Sequence, residues 1–197
     1  MKFKEFKNFR DYDRKLVKIT NVDENLKKGL KIEDLSEPIY GILYIDRQCG
    51  VSLRITGNET TDYKDIMLIV RSNLFNEMNF EIFDGNDFMK EILKQINEGY
   101  YDDNFNELLY DKKLDKYRHE DFPNDVEAML PSDEQPEKMW VRLFMKTKEE
   151  NLYVADLLDD SFFNKSYTVG KKVAVVLYKE ADFEGLIING LVKMSDE

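Results

Sequence analysis

The chain has one cysteine, Cys49, and one histidine, His119, among 197 residues. A lone cysteine excludes an intramolecular disulfide framework and any multi-cysteine zinc site. No stretch approaches 18 consecutive apolar residues, so no membrane-spanning helix is expected. There is no phosphate-cradling glycine loop, and none of the seven serines sits in a Gly-x-Ser-x-Gly setting. Residues Met1 to Arg10 are basic but contain no apolar run, so they do not read as a secretory signal. The expected location is the cytoplasm, and neither a cofactor nor a metal is expected.

Aromatics and acidic side chains are abundant. Hydrophobic residues make up 42% of the chain, with 13 Phe and 11 Tyr, enough to build a core. Charged residues reach 35%, and the formal net charge is −11. Such a protein repels nucleic-acid phosphate and anionic lipid, and attracts basic partners. The charge is also segregated. Residues 98–137 carry 13 acidic side chains against four basic ones, a local −9, whereas the first 18 residues carry a local +4. In that basic segment Phe3, Phe6, Phe9 and Tyr12 recur every three residues. This is a poor face for an α-helix, and a short helix or extended arm packing on the body is expected.

Period-two patterns and turn residues predict strands over 38–45, 51–55, 66–70 and 79–83, with turns at Asp46–Gly50 and Gly57-Asn58. The period then switches. Phe88, Ile92 and Ile96 mark a helix over 87–97, capped by Asn86 or Asp87 and ended near Gly99. A second helix is predicted over 103–117, burying Phe105, Leu108, Leu109 and Leu114. Residues 118–137 hold three of the four prolines and read as a linker, with a possible helical turn at 126–130. Strands return at 139–146, 152–158, 172–178 and 186–188, with Asn189-Gly190 before a further apolar run. The expected fold class is α+β, an antiparallel sheet with two helices, followed by a small C-terminal β-barrel-like or bent-meander unit. The expected division is an N-terminal domain over 1–117, an acidic linker over 118–137 and a β-rich domain over 138–197. Trp140, with Met139, Val141, Leu143 and Phe144, is expected to anchor the C-terminal core. Phe162-Phe163 suits core plugging and partner binding equally.

Three segments, Met139-Trp140-Val141, Leu157-Leu158-Asp159-Asp160 and Val169-Gly170-Lys171-Lys172-Val173, carry a resemblance. Over roughly the last 60 residues the chain resembles the YegJ-like bacterial domain of unknown function. Lys171 stands where that family usually has Asp, and its Trp-containing terminal motif is missing. The resemblance implies a small β-rich domain and transfers no catalytic residue.

Asp103, Glu107, Asp111 and Asp115 recur at steps of four on the predicted second helix. Like charges at this spacing cost a few tenths of a kcal/mol per pair. One reading is a solvated face in an acidic protein. The other is a partner-binding stripe whose carboxylates occupy the basic groove of a toxin or a nucleic-acid-binding enzyme. Asp84-Gly-Asn-Asp87 has a superficial likeness to a calcium loop but places Phe88 where an oxygen ligand belongs. His119, beside Glu120 and Asp121, reads more simply as a solvated helix-end residue than as an acid–base group. The sequence therefore points to a non-enzymatic binding or inhibitor protein, of toxin-immunity or phage type. Its partner would be a basic protein, with no direct contact to nucleic acid or membrane. The alternative is a YegJ-like housekeeping domain whose acidic segment only solubilises it.

Overall fold

The computed structural model describes residues 1–29, 37–58, 67–68, 77–133, 135–180 and 182–193. The chain divides into two compact units, Met1–Tyr101 and Asp102–Glu197. The division thus falls after Tyr101, not at 117, and the stretch read as a linker over 118–137 supplies a strand to the second unit.

The first unit contains β1 (Lys15–Thr20), α1 (Glu24–Gly29), β2 (Ile39–Asp46), β3 (Gly50–Asn58), β4 (Met67–Leu68), β5 (Asn79–Ile82) and α2 (Asp87–Tyr100). Its sheet runs β4-β3-β2-β1-β5, with every neighbouring pair antiparallel. The tight β2–β3 connection is where the sequence puts it. The Asp46 carboxylate accepts the Gln48 and Cys49 amides at 2.8 and 2.7 Å, and Gly50 supplies the positive φ of 75°. Gly57-Asn58 does not turn the chain; it stays in β3, opposite an irregularity at Tyr40/Gly41. Of the strand predicted over 66–70, Met67 and Leu68 pair with β3, and residues 66, 69 and 70 lie outside the described residues.

Asn86 caps α2 by accepting the Met89 amide, and the helix buries Met89, Ile92 and Ile96. At its end Tyr101 ties the unit together. Its hydroxyl donates to the buried carboxylate of Asp13 and accepts the Ile45 amide at 2.7 Å. Burial, followed by the Asp13 charge, pushes the Tyr101 hydroxyl far above its ordinary range. The N-terminal aromatics lie on and beside two 3-10 helices, Phe3–Glu5 and Phe9–Asp11. A 3-10 helix repeats every three residues, the period of this aromatic series. Phe3 packs its ring 4.9 Å from Tyr12 and 5.7 Å from Phe80.

The second unit opens with α3 (Asp103–Leu109) and a 3-10 helix at Lys112–Tyr117. The strands β6 (Asp125–Leu130), β7 (Glu137–Lys146), β8 (Leu152–Leu157), β9 (Lys172–Glu180) and β10 (Phe183–Leu191) follow. They form a closed barrel in the order β10-β6-β7-β8-β9. Consecutive strands pair antiparallel, and the barrel closes through the parallel β10–β6 pair at Ile187 and Met129. Asn189-Gly190 lies at a bulge within β10. Segment 126–130 is a strand and not a helical turn, because Val126, Ala128 and Leu130 alternate inward with period two. They meet Val141, Tyr153, Leu157, Val173 and Val175 in the barrel interior, and Leu108 and Leu114 join the same core. Met139, Val141 and Leu143 are buried as expected, but Trp140 and Phe144 point outward on the alternate face of β7.

This alternation yields a direct test. Ala128→Glu places a carboxylate in the barrel interior and is expected to cost several kcal/mol in urea unfolding. Met129→Glu, on the outer face, is expected to cost about 1 kcal/mol or less. Equal effects at the two positions would contradict the strand.

Candidate functional site

The four carboxylates of the predicted stripe do not share one helix. Asp102 caps α3, accepting the Phe105 amide at 2.7 Å. The helix then ends after two turns, with the Tyr110 amide bonded back to the Asn106 and Leu108 carbonyls. Asp111 adopts an extended backbone and starts the 3-10 helix, its side chain accepting the Lys113 amide at 3.0 Å. The same carboxylate accepts the Tyr153 hydroxyl at 3.0 Å and lies 3.4 Å from the Lys146 ammonium. A continuous helix would forgo these bonds to the barrel.

Arg118 completes the corner. Its guanidinium is nearly buried and donates to the Leu108 carbonyl at 2.6 Å, the Asp111 carbonyl at 3.3 Å and the Pro123 carbonyl. Carbonyls left over at the end of a helix need such donors. Arg118 also pairs with Asp115 at 3.4 Å.

The stripe therefore splits in two. Asp111, with a side chain only 9% exposed, and Asp115 serve the fold. Asp103 and Glu107 are exposed on α3, although Glu107 contacts Lys146 at 3.1 Å. Burial alone would raise the Asp111 carboxyl, but the Lys113 amide, the Tyr153 hydroxyl and Lys146 together hold it below its ordinary 3.8. The Tyr153 hydroxyl is pushed up, first by burial and then by the carboxylate it bonds.

Other candidates resolve into structural roles. His119 accepts the Asp121 amide on Nδ1 at 3.1 Å and packs edge-on against Trp140 and Phe122. Cys49 belongs to the β2–β3 turn of the first unit, and His119 to the second. Among the described residues no three His, Cys, Asp or Glu side chains cluster as metal ligands. No helix among them is long and apolar enough to cross a membrane.

A cleft of about 530 Å³ in the second unit is lined by Lys112, Lys113, Lys116 and Lys179 together with Asp115, Glu150 and Glu184. Its lysines are largely neutralised in place. Lys116 and Lys179 share Glu184 at 2.8 and 4.0 Å, and Lys113 meets Glu150 at 3.3 Å. The hydrogen bond from Lys116 lowers the Glu184 carboxyl below its ordinary 4.5.

The β8–β9 connection is the feature that sequence reasoning left open. Glu137, at the start of β7, accepts the Ser161 hydroxyl, the Phe162 amide at 2.7 Å and the Phe163 amide at 3.3 Å. The Ser161 hydroxyl is the main reason its carboxyl lies below 4.5. Asp159 accepts the Trp140 amide at 3.0 Å and Asp160 the Val169 amide at 2.8 Å. Asn164 accepts the Ser166 amide at 3.0 Å. Phe162 stands 77% exposed on this loop. The run Asp159-Asp160-Ser161 and Asn164 is the sequence signal for such an order, since these side chains bond nearby amides.

The split of the stripe predicts different responses to charge reversal. Asp111→Lys strands the Tyr153 hydroxyl and faces Lys146, and several kcal/mol of stability should be lost. Asp103→Lys and Glu107→Lys should each stay within about 1 kcal/mol of the parent. Urea unfolding of the three variants decides it, and equal losses would contradict the division.

Comparison of the chain with protein-family models, with curated proteins and with solved structures gives no match.

Proposed function

We propose that this chain is a non-enzymatic, cytoplasmic binding protein that engages a basic protein partner, as toxin-immunity proteins and inhibitors of nucleic-acid-binding enzymes do. The observation that carries this reading is the placement of charge. The second unit holds 22 acidic against 13 basic side chains, and the first unit 18 against 16. Nearly all of the net charge of −11 therefore belongs to the barrel unit. A field of one sign over a small domain steers an oppositely charged partner and speeds association.

Asp103 and Glu107 are the members of the stripe with side chains available to a partner. Asp111 and Asp115 act through the fold that presents them. Contact with nucleic acid or anionic lipid is disfavoured by the same charge. A second reading, a YegJ-like domain whose acidic segment only solubilises it, draws on the internal use of Asp111 and Asp115.

The test uses the protein that the native chain retains from lysate at low salt and releases at high salt. With that protein purified, the Asp103→Lys/Glu107→Lys variant should bind at least tenfold more weakly near physiological salt. The deficit should shrink as salt rises toward about 1 M, where screening acts over about 3 Å. Unchanged affinity, or a deficit independent of salt, would reject the electrostatic reading.

A further inference from the structure

We propose that Phe162 is the apolar anchor of the interface, and that the partner receives it in an apolar pocket rimmed by lysine or arginine. This rests on the reading of a basic protein partner and adds the point of attachment.

A phenylalanine 77% exposed in water leaves its apolar surface hydrated. A mobile loop could relieve this by folding the ring inward, but this loop is held. Glu137 spends its carboxylate on the Ser161 hydroxyl and on the Phe162 and Phe163 amides. Phe163 packs edge-on behind Phe162 with ring centroids 5.1 Å apart. The Ser161 amide bonds the Tyr167 carbonyl at 2.8 Å, and the Asn164 amide bonds the Ser161 hydroxyl oxygen at 2.9 Å. Lys165 donates to the Phe162 carbonyl at 3.1 Å. The ring is thus presented on an ordered backbone, and little conformational entropy remains to be lost when it is buried by a partner. Rigid aromatic anchors of this kind supply much of the binding energy at protein interfaces.

Charge selects the kind of pocket. The β8–β9 loop, residues 158–171, carries Asp159 and Asp160 against Lys165 and Lys171, with the Lys165 ammonium 5.8 Å from the Phe162 ring centroid, and the Glu137 carboxylate is bonded to the loop's amides. With Glu137 these surroundings come to a net −1, on a unit that holds 22 acidic against 13 basic side chains. A cationic rim complements them. An anionic membrane, the other common receiver of an exposed phenylalanine, is repelled.

The test places the photo-crosslinking residue p-benzoylphenylalanine at position 162, and at Glu91 on α2 as a control, in cells that produce the protein. A basic protein captured from position 162 and not from 91 is purified and titrated against variants. Phe162→Ala is expected to weaken binding at least about 30-fold, the ~2 kcal/mol of a hot-spot truncation. Glu137→Ala is expected to weaken it as well, while raising hydrogen exchange at the Phe162 and Phe163 amides without loss of the fold. No crosslink from position 162, or a Phe162→Ala affinity within threefold of the parent, overturns the proposal. If Asp103→Lys/Glu107→Lys still weakens that binding in a salt-dependent way, the electrostatic reading survives alone. If Phe162→Ala weakens it and the charge variant does not, the anchor stands and the electrostatic reading falls. Phe162-dependent binding to phosphatidylcholine–phosphatidylglycerol vesicles would overturn the protein pocket in favour of a membrane.

Discussion

The corner between Tyr110 and Pro123 is the constraint on which the second unit depends. A short helix must end, the chain must reverse, and a strand must enter a closed barrel, all over residues 110–124. Arg118 makes this possible by donating to carbonyls of α3, of the 3-10 helix and of the approach to β6. Asp111 fastens the same corner to the barrel through Tyr153 and Lys146. Both charges are taken from water, and each keeps several partners, the condition under which a buried ion is tolerated. The four-residue spacing of the acidic side chains is in part a consequence of this corner, because two of the four are its fasteners.

Much of the architecture was legible. Four of the five barrel strands, β7 to β10, fall where the sequence predicts strands, and the β2–β3 turn follows from Asp46 and Gly50. The α2 helix follows from Phe88, Ile92 and Ile96 at steps of four; of the two candidate caps it is Asn86 that bonds the Met89 amide, and Met89 is buried where Phe88 is expected to be. The misreadings have physical causes. Prolines at 123, 131 and 136 flank a strand instead of marking a linker, since β6 runs between them and needs no amide from them. The periodicity of 103–117 is helical, but an Asp that bonds both the next turn and a tyrosine on a barrel strand outweighs it. Such a tertiary bond leaves no trace in local spacing. Trp140 is expected in the core together with its flanking apolar residues, whereas its position in the alternation of β7 puts it outside.

The candidate site was legible in its charge and not in its geometry. Net charge can be counted along the chain, and its concentration in one unit survives folding. What the count omits is which carboxylates are already engaged. Three of them, Glu137, Asp159 and Asp160, bond backbone amides of the β8–β9 loop or of the strand beside it. Acidic residues thus shape this unit from within while giving it the field that a basic partner would sense. In the proposed interface the exposed phenylalanine on that loop would add short-range apolar contact to long-range attraction.

The most direct test of this division of labour is the acid titration of the Asp111 side-chain carboxyl, followed by carbon NMR. A depressed carboxyl contributes stability that is present above its unfolded value of about 3.8 and is lost as the pH falls through the lower folded value. The account predicts a midpoint below 3.8 that returns toward it in Tyr153→Phe. A midpoint at the ordinary value, unmoved by Tyr153→Phe, would mean that Asp111 is a solvated surface charge and would contradict the account.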